Sequence, residues 1–413
     1  MIAVFGLGFV GLTTALGFAH YGFKVYGVDV DTKRKDIIRS GKLPFLEKGL
    51  DTALVDNLNK TFFVEDDVKK AIEDSEVIFY CVGTPYGNNG EADLTYLFSA
   101  VDETLKHVDK SKKVVMVTKS TIPPTTTSEK IVPYIESKGF KQGEDVVVAN
   151  NPEFLREGHC WQDFIEADRI VIGSENGCEV SKLVDIYKPF NIPICQVSWN
   201  TGEFIKYLSN TLLATMISYS NEMAEVAEHI GNIDVAKAFH ILHMDKRWGG
   251  CNMASYVYPG CGYGGYCLPK DTNALYALAK SKGSEPNILG NVIETNDNMP
   301  EVIAKRIERR VDKTQKIGIL GLSFKPESDD VRDAAPAKII KQLQALGYKD
   351  IVGYDPVANE VFEEYYKLNM EYAGSLEEIE GKADVLVILT GWKEFKGMKD
   401  KTDKLVLDYR YMD

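Results

Sequence analysis

Residues 2–12, Ile2-Ala-Val-Phe-Gly6-Leu-Gly8-Phe9-Val10-Gly11-Leu12, carry the pattern that decides the fold. Four apolar residues run into G-x-G-x-x-G, and a second apolar stretch of helical length follows. In such a pattern the first glycine makes a tight turn and the second lets a pyrophosphate approach the backbone. The third allows close helix–strand packing, and the helix N-terminus faces the phosphates. Three glycines alone are weak evidence, and their context strengthens them. The next strand-like run, Lys24-Val-Tyr-Gly-Val-Asp29, ends in an acid 18 positions after Gly11. Asp29 would accept from an adenosine ribose 2′-hydroxyl and repel a 2′-phosphate, which favours NAD over NADP. Arg34, five positions on, works against a strict preference.

From Met1 to Phe23 there is no Lys, Arg, Asp or Glu. A signal peptide or a membrane span would also be uncharged, but a basic leading region is missing. Gly6, Gly8, Gly11 and Gly17 also interrupt the apolar run, so a buried strand, a glycine-rich turn and a helix are expected. No other stretch approaches about 18 uninterrupted apolar residues, so no membrane partner is expected.

Outward from this stretch, short apolar runs alternate with segments of helical length. Ile2–Phe5, Lys24–Val28, Val77–Val82, Val114–Thr118 and Val146–Ala149 read as strands, a rhythm that predicts a parallel α/β sheet. The rhythm stops near Ser198. From Glu203 to Glu228 there is neither Pro nor Gly, which predicts a helix of about 30 residues ending near Ile230, more than twice the mean length. A second α/β unit opens at Lys316-Ile-Gly-Ile-Leu-Gly-Leu, with strands at Ile351–Tyr354, Val385–Leu389 and Leu405–Leu407. The expected architecture is α/β, two Rossmann-like doubly wound domains joined by a long central helix. Its boundaries are expected at 1–197, 198–300 and 301–413.

The 413 residues suit two or three domains. A net charge of −13 argues against nucleic acid as a partner, since phosphate backbones need basic surfaces. A local cluster of Lys and Arg can still hold a small anion. Seven cysteines, an odd number without C-x-x-C spacing, argue against a disulfide framework and for a reducing, cytoplasmic compartment. Six histidines leave little for a metal site, and none is expected.

One cysteine stands in a distinct setting. Pro259-Gly-Cys-Gly-Tyr-Gly-Gly-Tyr-Cys267-Leu-Pro-Lys270-Asp271 holds four glycines and two prolines in thirteen residues, which lets a backbone wrap closely round a ligand. Lys270, and a helix start if Asp271 opens one, would favour a Cys267 thiolate, with Asp271 as base or water-orienter. The other cysteines read as small buried hydrophobes. His240 and His243 read as packing residues rather than a ligand pair.

Three further clusters follow strands or lie on the long helix. Lys119-Ser-Thr121-Ile-Pro-Pro would point hydroxyls into a crevice. Asn151-Pro-Glu153-Phe-Leu-Arg-Glu157-Gly would put two carboxylates on one face if it makes a helical turn. Lys206 and Asn210, four apart, would present an ammonium and an amide side by side. Either of these last two pairs could equally be a surface charge pattern. Val82-Gly-Thr84-Pro85 lies at the carboxyl end of a strand, where cofactors sit in such sheets, or is plain turn chemistry.

Together these segments resemble the nucleotide-sugar dehydrogenases across essentially the whole chain. Gly6-Leu-Gly-Phe-Val-Gly-Leu, Gly83-Thr-Pro, Lys119-Ser-Thr-Ile-Pro, Pro152-Glu-Phe-Leu-Arg-Glu-Gly, Lys206-Tyr-Leu-Ser-Asn210 and Gly262-Tyr-Gly-Gly-Tyr-Cys-Leu-Pro-Lys-Asp-Thr fall in the family's order. The cysteine loop is the most specific of them. The resemblance implies oxidation of a sugar C6 alcohol to a carboxylate by two NAD⁺ without release of the aldehyde. It implies UDP-glucose as substrate, with GDP-mannose or a UDP-N-acetylhexosamine as sister alternatives. A two-electron β-hydroxy-acid dehydrogenase would not need Cys267, and a catalytically silent sugar-nucleotide sensor would not need intact Lys206, Asn210 and Asp271.

By the same resemblance Cys267 is the nucleophile that carries first a thiohemiacetal and then a thioester. Lys206 and Asn210 stabilise the oxyanion, Asp271 and Thr121 handle protons with a water, and Glu153 serves thioester hydrolysis. Gly6, Gly8, Phe9, Val10, Gly11, Asp29, Arg34, Thr84, Thr121, Glu157, Lys270 and Arg332 are the cofactor positions. Glu153, Phe154, Leu155, Arg156, Glu157, Lys206, Asn210, Tyr256, Pro259, Gly260, Gly264 and Lys325 are the nucleotide-sugar positions. The implied roles of the three parts are NAD binding, dimerisation with the cysteine loop, and UDP-sugar binding, in a homodimer built on the long helix. Two departures stand out: the stretch from Arg247 through Tyr256 to Pro259 is a few residues longer than the family's usual Arg-to-Cys spacing, and Arg34 replaces a common Lys.

Overall fold

The first apolar stretch forms a strand and a helix, and both are buried. A computed structural model of the chain describes residues 1–85, 87, 91–175, 180–245 and 256–412. Strand β1 (Ile2–Phe5) is buried along its whole length, as a central parallel strand covered on both faces must be. The helix Phe9–His20 that follows is buried from Gly11 to Ala19, which explains why this stretch carries no charge. Among the described residues no helix is long and apolar enough to cross a membrane.

The chain divides into two units, Met1–Leu208 and Ser209–Asp413. The first holds β1 with β2 (Val25–Val28), β3 (Phe62–Val64), β4 (Val77–Tyr80), β5 (Val114–Thr118), β6 (Val146–Asn150), β7 (Ile170–Ser174) and β8 (Ile194–Val197). Their order is β3-β2-β1-β4-β5-β6-β7-β8, the doubly wound order with two strands added. All pairs are parallel except β6–β7. The order reverses between β1 and β4, so the loops after these two strands flank the crevice where ligands bind in such sheets. Apolar clusters fill both faces: Leu12, Leu16 and Phe18 of the first helix pack on one, and Leu97 and Val101 on the other.

The second unit holds β9 (Ile317–Leu320), β10 (Ile351–Tyr354), β11 (Glu371–Tyr372), β12 (Val385–Ile388) and β13 (Leu405–Asp408). Their order, β11-β10-β9-β12-β13, is parallel throughout and reverses between β9 and β12. The α/β reading with two Rossmann-like sheets and a long helix therefore holds. That helix runs from Trp199 to Ile230, 32 residues. Four strands, β3, β7, β8 and β11, lie outside the expected set. β3 and β11 have only three and two residues, and β8 is partly exposed, so none of these makes a long apolar run.

Candidate active site

In the first unit the three glycines have three different surroundings. Gly6 has φ +88°, which a side chain rarely adopts, and a β-carbon there would lie 2.7 Å from the Cys81 carbonyl oxygen. A β-carbon on Gly11 would lie 1.7 Å from the Gly6 carbonyl oxygen. Gly8 is the opposite case: nothing lies within 4 Å of where its β-carbon would be, and it caps the helix Phe9–His20 without a side-chain hydrogen bond. Open space at the uncapped N-terminus of a buried helix fits a pyrophosphate. Phe9 stacks on Phe45 at 4.0 Å between ring centroids, and Val10 accepts from the Thr14 hydroxyl.

Asp29, at the end of β2, is buried and partly occupied. Its Oδ2 accepts from Leu7 N at 2.6 Å and Arg34 Nη1 at 3.0 Å, and its Oδ1 accepts from Asp31 N at 2.8 Å. A carboxylate offers about four acceptor positions, so one remains on Oδ1 for a ribose hydroxyl. Thr84 is buried and donates its hydroxyl to the Thr121 carbonyl at 2.9 Å, tying together the loops after β4 and β5.

The loop after β6 is irregular, so Glu153 and Glu157 do not share a helical face; the helix starts later, at Cys160. Pro152 and the cap made by Glu47, which accepts from Gly158 N and Cys160 N, account for the late start. Glu153 is buried with Lys206: Oε1 pairs with the Lys206 ammonium at 2.9 Å, and Oε2 accepts from Leu155 N at 2.6 Å. The Lys206 ammonium also stands 5.6 Å from the centre of the Phe154 ring, whose other cationic neighbour is Arg169. Arg156 pairs with Asp163 through two guanidinium nitrogens, at 2.9 and 2.6 Å.

In the second unit Cys267 is the first residue of the helix Cys267–Ser281, so the helix opens at the cysteine and not at Asp271. Pro269 is tolerated there because first-turn amides have no intrahelical partner. One turn on, Lys270 and Asp271 are both buried and pair at 2.5 Å, and Asp271 Oδ2 accepts from Asn210 Nδ2 at 2.6 Å. Burial alone would lower the Lys270 pKa, but the Asp271 carboxylate holds it above the usual lysine value. Lys270 and Arg332 both stand over the Tyr266 ring, at 5.6 and 4.7 Å, and Asp330 holds the Arg332 guanidinium.

The glycines of this loop meet protein rather than open space. A β-carbon would come within 2.7 Å of Asn296 Oδ1 at Gly262, 2.5 Å of the Asp333 carbonyl at Gly264 and 2.5 Å of the Arg410 guanidinium at Gly260. At these three positions the absence of a side chain lets the loop pack closely on its own domain. Pro259 is buried, Tyr256 is half-buried, and Lys325 stands over the Phe324 ring. Residues Arg247 to Ser255 lie outside the described residues. His243 Nε2 donates to the Val257 carbonyl and packs beside Tyr258, while His240 is exposed.

The smaller sheet repeats the first turn with one change. Gly321-Leu322-Ser323 follows β9 as Gly6-Leu7-Gly8 follows β1, and Asp355 follows β10 as Asp29 follows β2. Asp355 Oδ2 accepts from Leu322 N, Ser323 N, the Ser323 hydroxyl and Trp392 Nε1, and its Oδ1 accepts from Val357 N and Ala358 N.

Most of the sequence falls on three matched segments. Residues 1–191 match the NAD binding domain of the UDP-glucose/GDP-mannose dehydrogenase family, 200–298 its central domain and 318–412 its UDP binding domain. The chain belongs to this family. It is a nucleotide-sugar dehydrogenase with an NAD-binding domain. A UDP-glucose 6-dehydrogenase of Bacillus subtilis is 35% identical, with 96% of this chain and 88% of the relative aligned. A GDP-mannose 6-dehydrogenase of Pseudomonas aeruginosa is 33% identical over 97% and 94%. The solved structure of a UDP-glucose dehydrogenase from Pyrobaculum islandicum superimposes with a TM-score of 0.91 at 33% identity, covering 100% of this chain and 94% of that one.

Proximity adds residues that sequence reading did not assign a role: Lys119, Glu203 and Tyr266. Lys119 sits inside a quoted motif, yet only the structure shows it buried, donating to Asn151 Oδ1 and pushed down to about pKa 8 by burial. Glu203 lies three residues before Lys206 on the long helix, a spacing that hints at a shared face but not at burial.

Proposed function

We propose that this dehydrogenase oxidises C6 of UDP-glucose to the carboxylate of UDP-glucuronate in two NAD⁺-dependent steps. The observation that carries this reading is a cysteine at a helix N-terminus, one turn before the buried chain Lys270–Asp271–Asn210. The helix end and Lys270 favour the thiolate, which adds to the C6 aldehyde to give a thiohemiacetal. That adduct has a C–H bond and an oxyanion, so it can lose a second hydride; a bare aldehyde cannot. Loss of that hydride leaves a thioester, which water cleaves to the carboxylate and the free thiol. NAD, when bound, supplies the hydride acceptor for both oxidations.

The chain's own groups account for the remaining needs. The Lys206 ammonium and the Asn210 amide, four apart on one helix, donate to the developing oxyanion. Asp271 and Thr121 move protons with a water, and Glu153 activates the water that cleaves the thioester. Gly6, Gly8 and Gly11 admit the cofactor pyrophosphate and the free position on Asp29 takes a ribose hydroxyl, with Phe9, Val10, Arg34, Thr84, Glu157, Lys270 and Arg332 around them. Phe154, Leu155, Arg156, Tyr256, Pro259, Gly260, Gly264 and Lys325 are assigned to the sugar nucleotide. We propose a homodimer as the working state.

The 33% identity to a GDP-mannose enzyme supports a second substrate class, so the test is a panel. The protein with NAD⁺ and UDP-glucose, GDP-mannose or UDP-N-acetylhexosamines is expected to form about two NADH per sugar with UDP-glucose only, the yield of a four-electron oxidation. One NADH per sugar overturns the covalent route, and a higher kcat/KM with another sugar overturns the substrate. Cys267→Ser should stop the full oxidation and leave NAD binding near that of the parent.

A further inference from the structure

At the carboxyl ends of β5 and β6 lies a cavity of about 10 Å³ whose lining includes Thr118, Ser120, Thr121, Asn150, Glu203 and Lys206. Two of these side chains are buried with an oxygen that has no hydrogen-bond partner, Glu203 Oε2 and Asn150 Oδ1. A buried carboxylate oxygen without a partner is costly, and a space of this size takes one water when two to four polar groups surround it. The other oxygen of Glu203 is fully engaged: Oε1 accepts from Thr127 N at 2.8 Å and the Thr127 hydroxyl at 2.5 Å. Those bonds fix the carboxyl plane and hold a turn of unusual backbone, in which Thr125 has φ +76° and Thr127–Ile131 form a π-turn.

We propose that Glu203 is a positioning residue that shares a proton with Lys206 through a single water held in this cavity. The inference rests on the function proposed above. Lys206, which lines the same cavity as Glu203 at the polar ends of β5 and β6, is paired with Glu153 at 2.9 Å. When the ammonium gives up a proton, its N–H bond breaks and an O–H bond forms on the water. The water passes a different proton to Glu203 Oε2, so one O–H bond breaks and a second forms, and charge is conserved. The groups facing Glu203 are Thr125–Thr127 from the turn, Thr118 at the end of β5, Ser120 and Thr121 in the loop after it, Asn150 from β6, and Lys206 on its own helix; Glu153, paired with Lys206, and Lys119 are the charges beside that lysine. Burial pushes the Glu203 carboxyl up to about pKa 7 against the Thr127 bonds, so near neutral pH it can both hold and release a proton.

The test measures kcat against pH for the parent, Glu203→Gln, Glu203→Asp and Thr127→Val. The parent is expected to lose activity as pH falls through about 7, where Glu203 becomes protonated and can no longer accept. Glu203→Gln should remove that acid limb and lower the plateau about tenfold with KM for UDP-glucose unchanged, and Glu203→Asp should restore part of both. Thr127→Val removes a bond to the ionised form, so the limb should move to higher pH. An unchanged limb in Glu203→Gln, or a limb that moves to lower pH in Thr127→Val, overturns the proposal. Infrared difference spectra of the protein without substrate give a readout independent of turnover. A protonated buried carboxyl band should fade as pH rises through neutrality and be missing in Glu203→Gln; its absence from the parent overturns the proposal even if no sugar nucleotide is oxidised.

Discussion

At the scale of single residues, two of the side chains assigned to chemistry are held by buried partners before any ligand arrives. Asn210 donates to Asp271, and Lys206 is paired with Glu153. Partners of this kind fix donors in place, so that little reorganisation is needed when charge develops on a substrate. Asn210→Ala is therefore expected to lower kcat by about 10²–10³-fold with little change in KM, the signature of an interaction made in the transition state. A variant that raises KM and leaves kcat intact would assign Asn210 to ground-state binding. The buried Cys261 needs no such role: burial pushes its thiol up to about pKa 11, which leaves it inert at neutral pH.

At the scale of elements, the glycine turn gives the sharpest contrast. Gly11→Ala drives a methyl into the Gly6 carbonyl, 1.7 Å away, and should destabilise the protein by about 3 kcal/mol or more. Gly8→Ala meets no protein atom, so its thermal midpoint should stay near the parent's while NAD⁺ affinity falls. Equal loss of stability in both would mean that the second glycine also serves packing. The strands β1, β2, β4, β5, β6, β9, β10 and β12 were legible because central parallel strands must be continuous apolar runs, and the edge strand β13 because Leu405–Leu407 are all apolar. The short strands β3 and β11 make no such run, and the antiparallel β7 breaks the rhythm used to find its neighbours. Among candidate site residues, those in motifs were legible as a set, but their pairing was not. Nothing in Glu153 or Lys206 by itself says that they form one buried ion pair, because the pairing depends on a loop and a helix brought together by the sheet.

At the scale of the whole molecule, the long helix carries an exposed apolar stripe. Phe204, Leu208, Leu212, Tyr219, Val226 and Ile230 are exposed along it, at spacings of four and seven. Such a stripe on a helix of this length supports the homodimer proposed here. Tyr219→Glu with Val226→Glu should shift the protein to monomers in sedimentation experiments, and an unchanged sedimentation coefficient would place the subunit contact elsewhere. The smaller sheet bears on how many dinucleotides one chain can hold. Its aspartate, Asp355, already receives six donors, two of them from Ser323 at the position where the first unit has Gly8. With every acceptor position taken and a side chain standing in the phosphate space, that turn has become a structural clasp. Calorimetric titration with NAD⁺ should accordingly saturate at one equivalent per chain, and a second equivalent of similar affinity would show that the clasp opens.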